Sequence, residues 1–316
     1  MLSYEELRNR TDGPAGSSWG LFGTDDELGT VNFITPECVR RAAGLVKRGA
    51  VFNLDCAINA FNPTWTGRKL AEHTIFMRRA DARDDFVDSF YLQSTSQLDG
   101  LRHIRHPEHG FYNWTPDEEI APYTPRLGVQ RWAESGIVGR GVLLDVGRYL
   151  AGQGRPLDVT GNEPFPASVL DETADAQGVE ILAGDILLIR TGWLDYYFNV
   201  MTDEERQAFP DRLSGPGIVP SYESVAWLWD HQISVVAGDN PAVESFPAPP
   251  DSPFPMGGLM HHDLVALLGM VLGELFALDD LADDCAEDGV YEFMVTAKVL
   301  NLVGGVGSPP NALAIK

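Results

Sequence analysis

Positive charge is scarce in this chain. The 316 residues carry 23 Lys plus Arg against 46 Asp plus Glu, a formal net charge of -23. Binding to a phosphate backbone needs clustered Lys and Arg, so the balance excludes a nucleic-acid partner and an anionic membrane surface. Cysteine is scarce too. Cys38, Cys56 and Cys285 are widely spaced, odd in number and in no CxxC pair. They read as reduced thiols of a cytoplasmic protein. No run approaches the roughly 18 uninterrupted apolar residues of a membrane span. The opening MLSYEELRNRTDG lacks the apolar core of a signal peptide. There is no GKS or GKT phosphate loop and no G-x-S-x-G elbow, and GIVGRG (136–141) precedes a strand, the wrong side for a dinucleotide loop. Nucleotide-dependent chemistry and serine hydrolysis are set aside on these grounds.

What is present is ordinary globular protein, 44% hydrophobic and 10% aromatic. TPECVRRAAGLVKRG (35–49) predicts a helix with Thr35 as its cap and Pro36 in its first turn. Strands are expected at VFNLDCAI (51–58), HTIFMR (73–78), GVLLDV (141–146), GDILLIRTGW (184–193), ISVVAGD (233–239) and YEFMVTAKVLNLV (291–303). Helices are expected at PASVLDETADAQG, at TDEERQAF with its capping box, at SYESVAWLWDHQ, and over HDLVALLGMVLGELFAL (262–278). Helices alternate with strands and no long linker intervenes, which predicts one α/β domain spanning residues 1–316, with a mixed sheet.

The chemistry centres on YLQSTSQLDGLRHIRHPEHG (91–110). Asp99 and His103 lie four positions apart, and carboxylate oxygen and imidazole nitrogen are the usual ligands of a divalent ion that activates water. Read alone, the pair fits a structural Asp–His hydrogen bond equally well. His106 and His109, flanking Pro107, are expected at the surface, and His73 as a structural histidine of its strand. His231 suits the C-terminal dipole of its helix, and Asp239 a turn. Glu274 falls in an apolar stretch, where a buried carboxylate needs a partner.

Four blocks in fixed order, WGLFGTDDELGTVNFITPE (19–37), GDILLIRTGW, VVAGDNPAVE (235–244) and GVGSPPNALAIK (305–316), resemble the cyclase family of metal-dependent hydrolases. That family includes kynurenine formamidase and isatin hydrolase. The resemblance implies a three-layer, swivelling β/β/α fold. It also implies a metal motif H-x-x-x-H-x-D-x-x-x-H, whose first two histidines fall on Gln93 and Gln97 here, its aspartate on Asp99 and its last histidine on His103. A later His and a Glu 12 residues on fall on His262 and Glu274. By resemblance, then, Asp99, His262 and Glu274 are ligands with Gln97 filling in, His103 is the acid/base group, and Trp65 and Gln93 face the substrate.

The two glutamines depart from the pattern. A carboxamide is a weak, neutral oxygen donor, so the remaining set is oxygen-rich and suits one Mn²⁺ better than Zn²⁺. A straight helix would hold residues 262 and 274 about 18 Å apart. Either His262 precedes the helix and the chain doubles back, or only one of them is a ligand, and His261 is the alternative. The expected activity is hydrolysis of a cyclic amide, N-acyl amide or lactone, a small-molecule substrate, in a homodimer or homotetramer. Ser94, Ser96 and Gln97 are candidate oxyanion donors. Phe86, Phe90, Tyr91, Phe111, Tyr112 and Trp114 would suit an aromatic substrate or the core. The other reading is a metal-free lyase or isomerase, or a binding protein that keeps the pocket.

Overall fold

The apolar runs at 137–145, 186–190, 235–238 and 271–274 are buried along almost their whole length, the pattern of strands covered on both faces. In the computed structural model, which describes residues 1–316, they form the parallel centre of a nine-stranded sheet. In chain order the strands are β1 (Val51–Asn53), β2 (Glu72–Arg79), β3 (Ala82–Asp88), β4 (Gln97–Asp99), β5 (Ile137–Asp145), β6 (Pro164–Phe165), β7 (Ile186–Arg190), β8 (Gly217–Ile218), β9 (Val235–Gly238), β10 (Val271–Glu274), β11 (Glu292–Ala297), β12 (Gly307–Ser308) and β13 (Ala312–Ile315). The sheet order is β1-β13-β11-β5-β7-β9-β10-β4-β12. From β5 to β10 neighbours run parallel, and on both flanks they run antiparallel. This is the α/β class with a mixed sheet that the alternating runs predict.

Local signals account for the helices. Thr35 caps Pro36–Ala43 by accepting from the Cys38 amide. Thr202 and Glu205 close the expected capping box of Asp203–Ala208, and Ser221 caps Tyr222–Asp230. Ser168–Gln177 ends at left-handed Gly178. The sheet and its helices share one apolar cluster, with Trp19, Trp132, Trp229 and Phe293 fully buried. A second, aromatic cluster gathers Phe61, Trp65, Trp193, Tyr197 and Phe209 around Leu275. All three cysteines are unpaired. No helix is long and apolar enough to cross a membrane.

The stretch 262–278 is not a helix. His262–Leu267 forms one wide π turn, and the chain then reverses into β10. Two glycines explain it. Gly269 has φ +66°, and a Cβ there would stand 2.6 Å from the Tyr112 ring. Gly273 lies in β10 where a Cβ would stand 2.6 Å from that of Ala237. The reversal removes the separation that a straight helix would impose. The strand expected at 73–78 does form, but outside the core: β2 pairs with β3 alone and all its residues are exposed. His73 is exposed with it, bonded to Asp85 at 2.8 Å.

Candidate active site

Residues two apart on a strand share a face, so Gln97 and Asp99 project together from β4. Glu274 of β10 lies directly opposite Gln97, and Gln97 Nε2 donates to Glu274 Oε2 at 2.6 Å. His261, just before the π turn, completes the group. Its Nε2 lies 3.1 Å from Glu274 Oε1 and its Nδ1 2.7 Å from Glu244 Oε1. Asp99, His261 and Glu274 are buried, and each brings one ligand atom within 4.8 Å of the others.

His262 is not in this group. It is half-buried, with Nδ1 3.3 Å from the Leu259 carbonyl. A π turn takes one residue more than an α turn, and His261 accordingly stands 13 positions before Glu274, not the 12 of the family spacing. His103 lies beside the group: Nε2 is 3.6 Å from Asp99 Oδ2, with a quarter of its side chain exposed, too far for a hydrogen bond.

Electrostatics inside the group are severe. Burial and the adjacent Asp99 charge push the Glu274 carboxyl up to about 7, against the pull of His261 and Arg68. Burial disfavours a charged His261, but the Glu244 and Glu274 carboxylates outweigh it and hold its pKa well above the ordinary imidazole value. Two buried acceptor oxygens, Gln97 Oε1 and Asp99 Oδ1, have no hydrogen-bond partner. Unsatisfied acceptors beside paired carboxylates are a donor set that fits a divalent cation.

Glu244 and Arg68 were not singled out by the sequence. Glu244 ends a family-like block and is fully buried. Half-buried Arg68 donates from Nη1 to the Gln93 carbonyl. Burial lowers its pKa while the Glu274 and Asp99 charges hold it up, which places its cation within their field.

Other expectations fare differently. Trp65 is packed in the aromatic cluster, 5.1 Å from Phe61 and 5.6 Å from Phe209 between ring centres. The same cluster includes Leu275, the residue after Glu274, and the Trp65 carbonyl accepts from the Arg68 amide at 3.3 Å. Gln93 is half-buried beside Gly307 of β12. Ser94 and Ser96 donate their single hydroxyl protons to the carbonyls of Tyr91 and Leu275 at 2.6 Å. His106 is buried, not surface: its Nδ1 accepts from the Glu108 and His109 amides, and burial pushes it down to about 4. Asp239, expected to cap a turn of its own segment, instead accepts from the Thr191 and Gly192 amides beyond the end of β7. Tyr112 is core, whereas Phe86, Tyr91 and Trp114 are exposed, so the aromatic residues do not form one wall.

The family model Cyclase matches residues 52–245, more than half of the chain. The protein belongs to the cyclase family. The match ends before His261 and Glu274; a solved structure described as a novel cyclase matches over nearly the whole chain. It is 32% identical, covers 95% of this chain and 99% of its own, and superposes with a TM-score of 0.82. Isatin hydrolase A from Labrenzia aggregata, bound to benzyl benzoate, is 15% identical (86% and 94% covered, TM-score 0.57). Isatin hydrolase A from Ralstonia solanacearum is 16% identical (87% and 94%, TM-score 0.58). These two share the cyclase-family fold. No match was found among curated proteins.

Proposed function

We propose that this cyclase-family protein is a metal-dependent hydrolase of a small cyclic amide, N-acyl amide or lactone. The observation that carries the reading is the buried set Asp99, His261 and Glu274, with ligand atoms within 4.8 Å of one another. Unpaired Gln97 Oε1 and Asp99 Oδ1 add to it. Three oxygen donors to one imidazole suit Mn²⁺ over Zn²⁺. A divalent ion held there supplies a water of lowered pKa and a polarised carbonyl.

The protein's own residues do the rest. Glu244 accepts from His261 Nδ1, which leaves the Nε2 lone pair available to a cation and fixes the ring. Gln97 orients Glu274 through its amide and keeps its own oxygen free. His103, partly exposed next to Asp99, carries a proton between the site and solvent. Arg68 offers positive charge to the carboxylate that amide or lactone hydrolysis releases.

Metal analysis of protein purified without chelator, beside Asp99→Ala, tests the reading. About one Mn or Zn per chain, lost in the variant, supports it. A screen of lactones and cyclic amides follows, with isatin first because isatin hydrolases share the fold. One observation favours a second reading, a metal-free lyase, isomerase or binding protein. Glu274 already accepts from Gln97 and His261, and His261 lies between two carboxylates, so a proton on His261 closes the network without an ion. Failure to take up Mn²⁺ and Zn²⁺ would decide for it.

A further inference from the structure

The Asp263 carboxylate accepts no hydrogen bond. It belongs to the π turn after His261, and its side chain is only 9% exposed. Its one ion-pair neighbour, His106 Nε2, stands 3.8 Å from Oδ1, too far for a hydrogen bond. A buried carboxylate without a partner is costly. This one lines a cavity of about 390 Å³, a volume typical of small-molecule sites.

His106, in the same wall, supplies the opposite chemistry. Its Nδ1 accepts from the Glu108 and His109 amides at 3.2 and 3.3 Å, which puts the proton of the neutral ring on Nε2. The backbone bridge from His106 to Gly110 and the stacked His109 ring, 4.7 Å away, hold the imidazole in place. One wall therefore presents a free donor beside a free acceptor. Arg8 adds a cation: it lies over the Tyr222 ring at 4.2 Å, is exposed and makes no ion pair. Phe254, edge-on to Tyr222 at 5.1 Å, and Leu267 give the cavity an apolar side. Glu108, its other carboxylate, is exposed to solvent. Asp99, His261 and Glu274 do not line it.

We propose that this cavity binds a free α-amino acid with an apolar side chain. The ligand's ammonium group donates to Asp263, and its carboxylate accepts from His106 Nε2 and pairs with Arg8. Its side chain lies against Phe254 and Leu267. An ammonium and a carboxylate on one carbon offer a donor and an acceptor side by side, the complement of the wall. A neutral cyclic amide would leave Arg8 without a role, and an organic cation would leave His106 without one. The site does not depend on the activity proposed above.

Calorimetric titration of the full chain with L-leucine and with L-phenylalanine tests this. Each should bind at one site per chain. Leucinamide, which lacks the carboxylate, and N-acetyl-leucine, which lacks the ammonium, should bind at least about tenfold more weakly than leucine. Asp263→Asn and Arg8→Gln should each weaken leucine by a similar factor. Arg8 is exposed, so its variant should keep the wild-type Tm, and its loss of affinity reports on the ligand contact. Amino acids also chelate divalent ions, and Asp99→Ala controls for that: it should bind leucine as tightly as the wild type. No binding of either amino acid, equal affinity for leucinamide, unchanged affinity in Arg8→Gln, or binding lost in Asp99→Ala would each overturn the proposal.

Discussion

Glu274 stands directly opposite Gln97 in the β10–β4 pair and accepts its amide at 2.6 Å. Its other oxygen lies 3.1 Å from His261 Nε2, so one carboxylate joins all three segments of the site. Burial and Asp99 push that carboxyl up to about 7, and neutralising it separates charge from shape. In Glu274→Gln the amide oxygen still accepts from Gln97, and the new NH₂ faces a His261 that has lost the lesser of the two carboxylates favouring its charged form. Mn²⁺ affinity should fall at least about tenfold, while Tm in chelator stays level or rises because Asp99 no longer faces a second buried carboxylate. Calorimetric titration and thermal unfolding check this. Undiminished Mn²⁺ binding would remove Glu274 from the ligand set.

The adjacent histidines should separate cleanly. His261 lies between Glu244 and Glu274, whereas His262 reaches only the Leu259 carbonyl. His261→Ala should abolish divalent-ion uptake and His262→Ala should leave it unchanged, as read by elemental analysis of both proteins. The reverse pattern would restore the residue that motif spacing selects.

Glu244 acts through His261. It accepts from Nδ1 at 2.7 Å and is fully buried. Glu244→Gln removes the charge that fixes the ring, and ion affinity should fall by about 10- to 100-fold. Competition with a chelator of known affinity measures it. Equal affinity in the two proteins would leave Glu244 with a packing role only.

How legible this was in the sequence varies by element. The buried runs at 186–190 and 235–238 could be read because β-branched and aliphatic residues in short blocks leave few alternatives. Asp99 and Glu274 could be placed by motif spacing. His261 could not be selected over His262, because spacing assumes regular turns and this chain inserts a π turn. The stretch 262–278 reads as a helix because turn and strand are both apolar. Gly269 and Gly273 were the available signal, and only the tertiary contacts of Tyr112 and Ala237 give them meaning. Arg68 comes within the field of Asp99 and Glu274 from a distant loop, a proximity that no local pattern encodes. Ser94 and Ser96 look like donors in sequence and donate to backbone carbonyls in the fold.

His103 should affect turnover without affecting the ion. It is partly exposed and 3.6 Å from Asp99, outside the buried group. On a substrate found by the amide and lactone screen, His103→Gln should lower kcat by about 10²- to 10⁴-fold with metal content unchanged. A variant that loses its metal would make His103 a ligand instead.

Asp55 predicts the pH dependence of stability. Burial pushes its carboxyl from the ordinary 3.8 up to about 6, against a hydrogen bond from the Ala312 amide. The folded state therefore holds this proton more tightly than the unfolded chain. Its stabilising contribution is complete below 3.8 and is lost as the pH rises through about 6. Asn imitates the protonated form and keeps an acceptor for Ala312. The Tm of Asp55→Asn should match the wild type in the acid range and exceed it above about pH 6, the gap opening between the two values. Each protein serves as the other's control for the many exposed carboxylates that titrate in the same range. A gap that stays flat across this window would mean that Asp55 ionises at its ordinary pKa, and that the β1–β13 end of the sheet holds a charge without penalty.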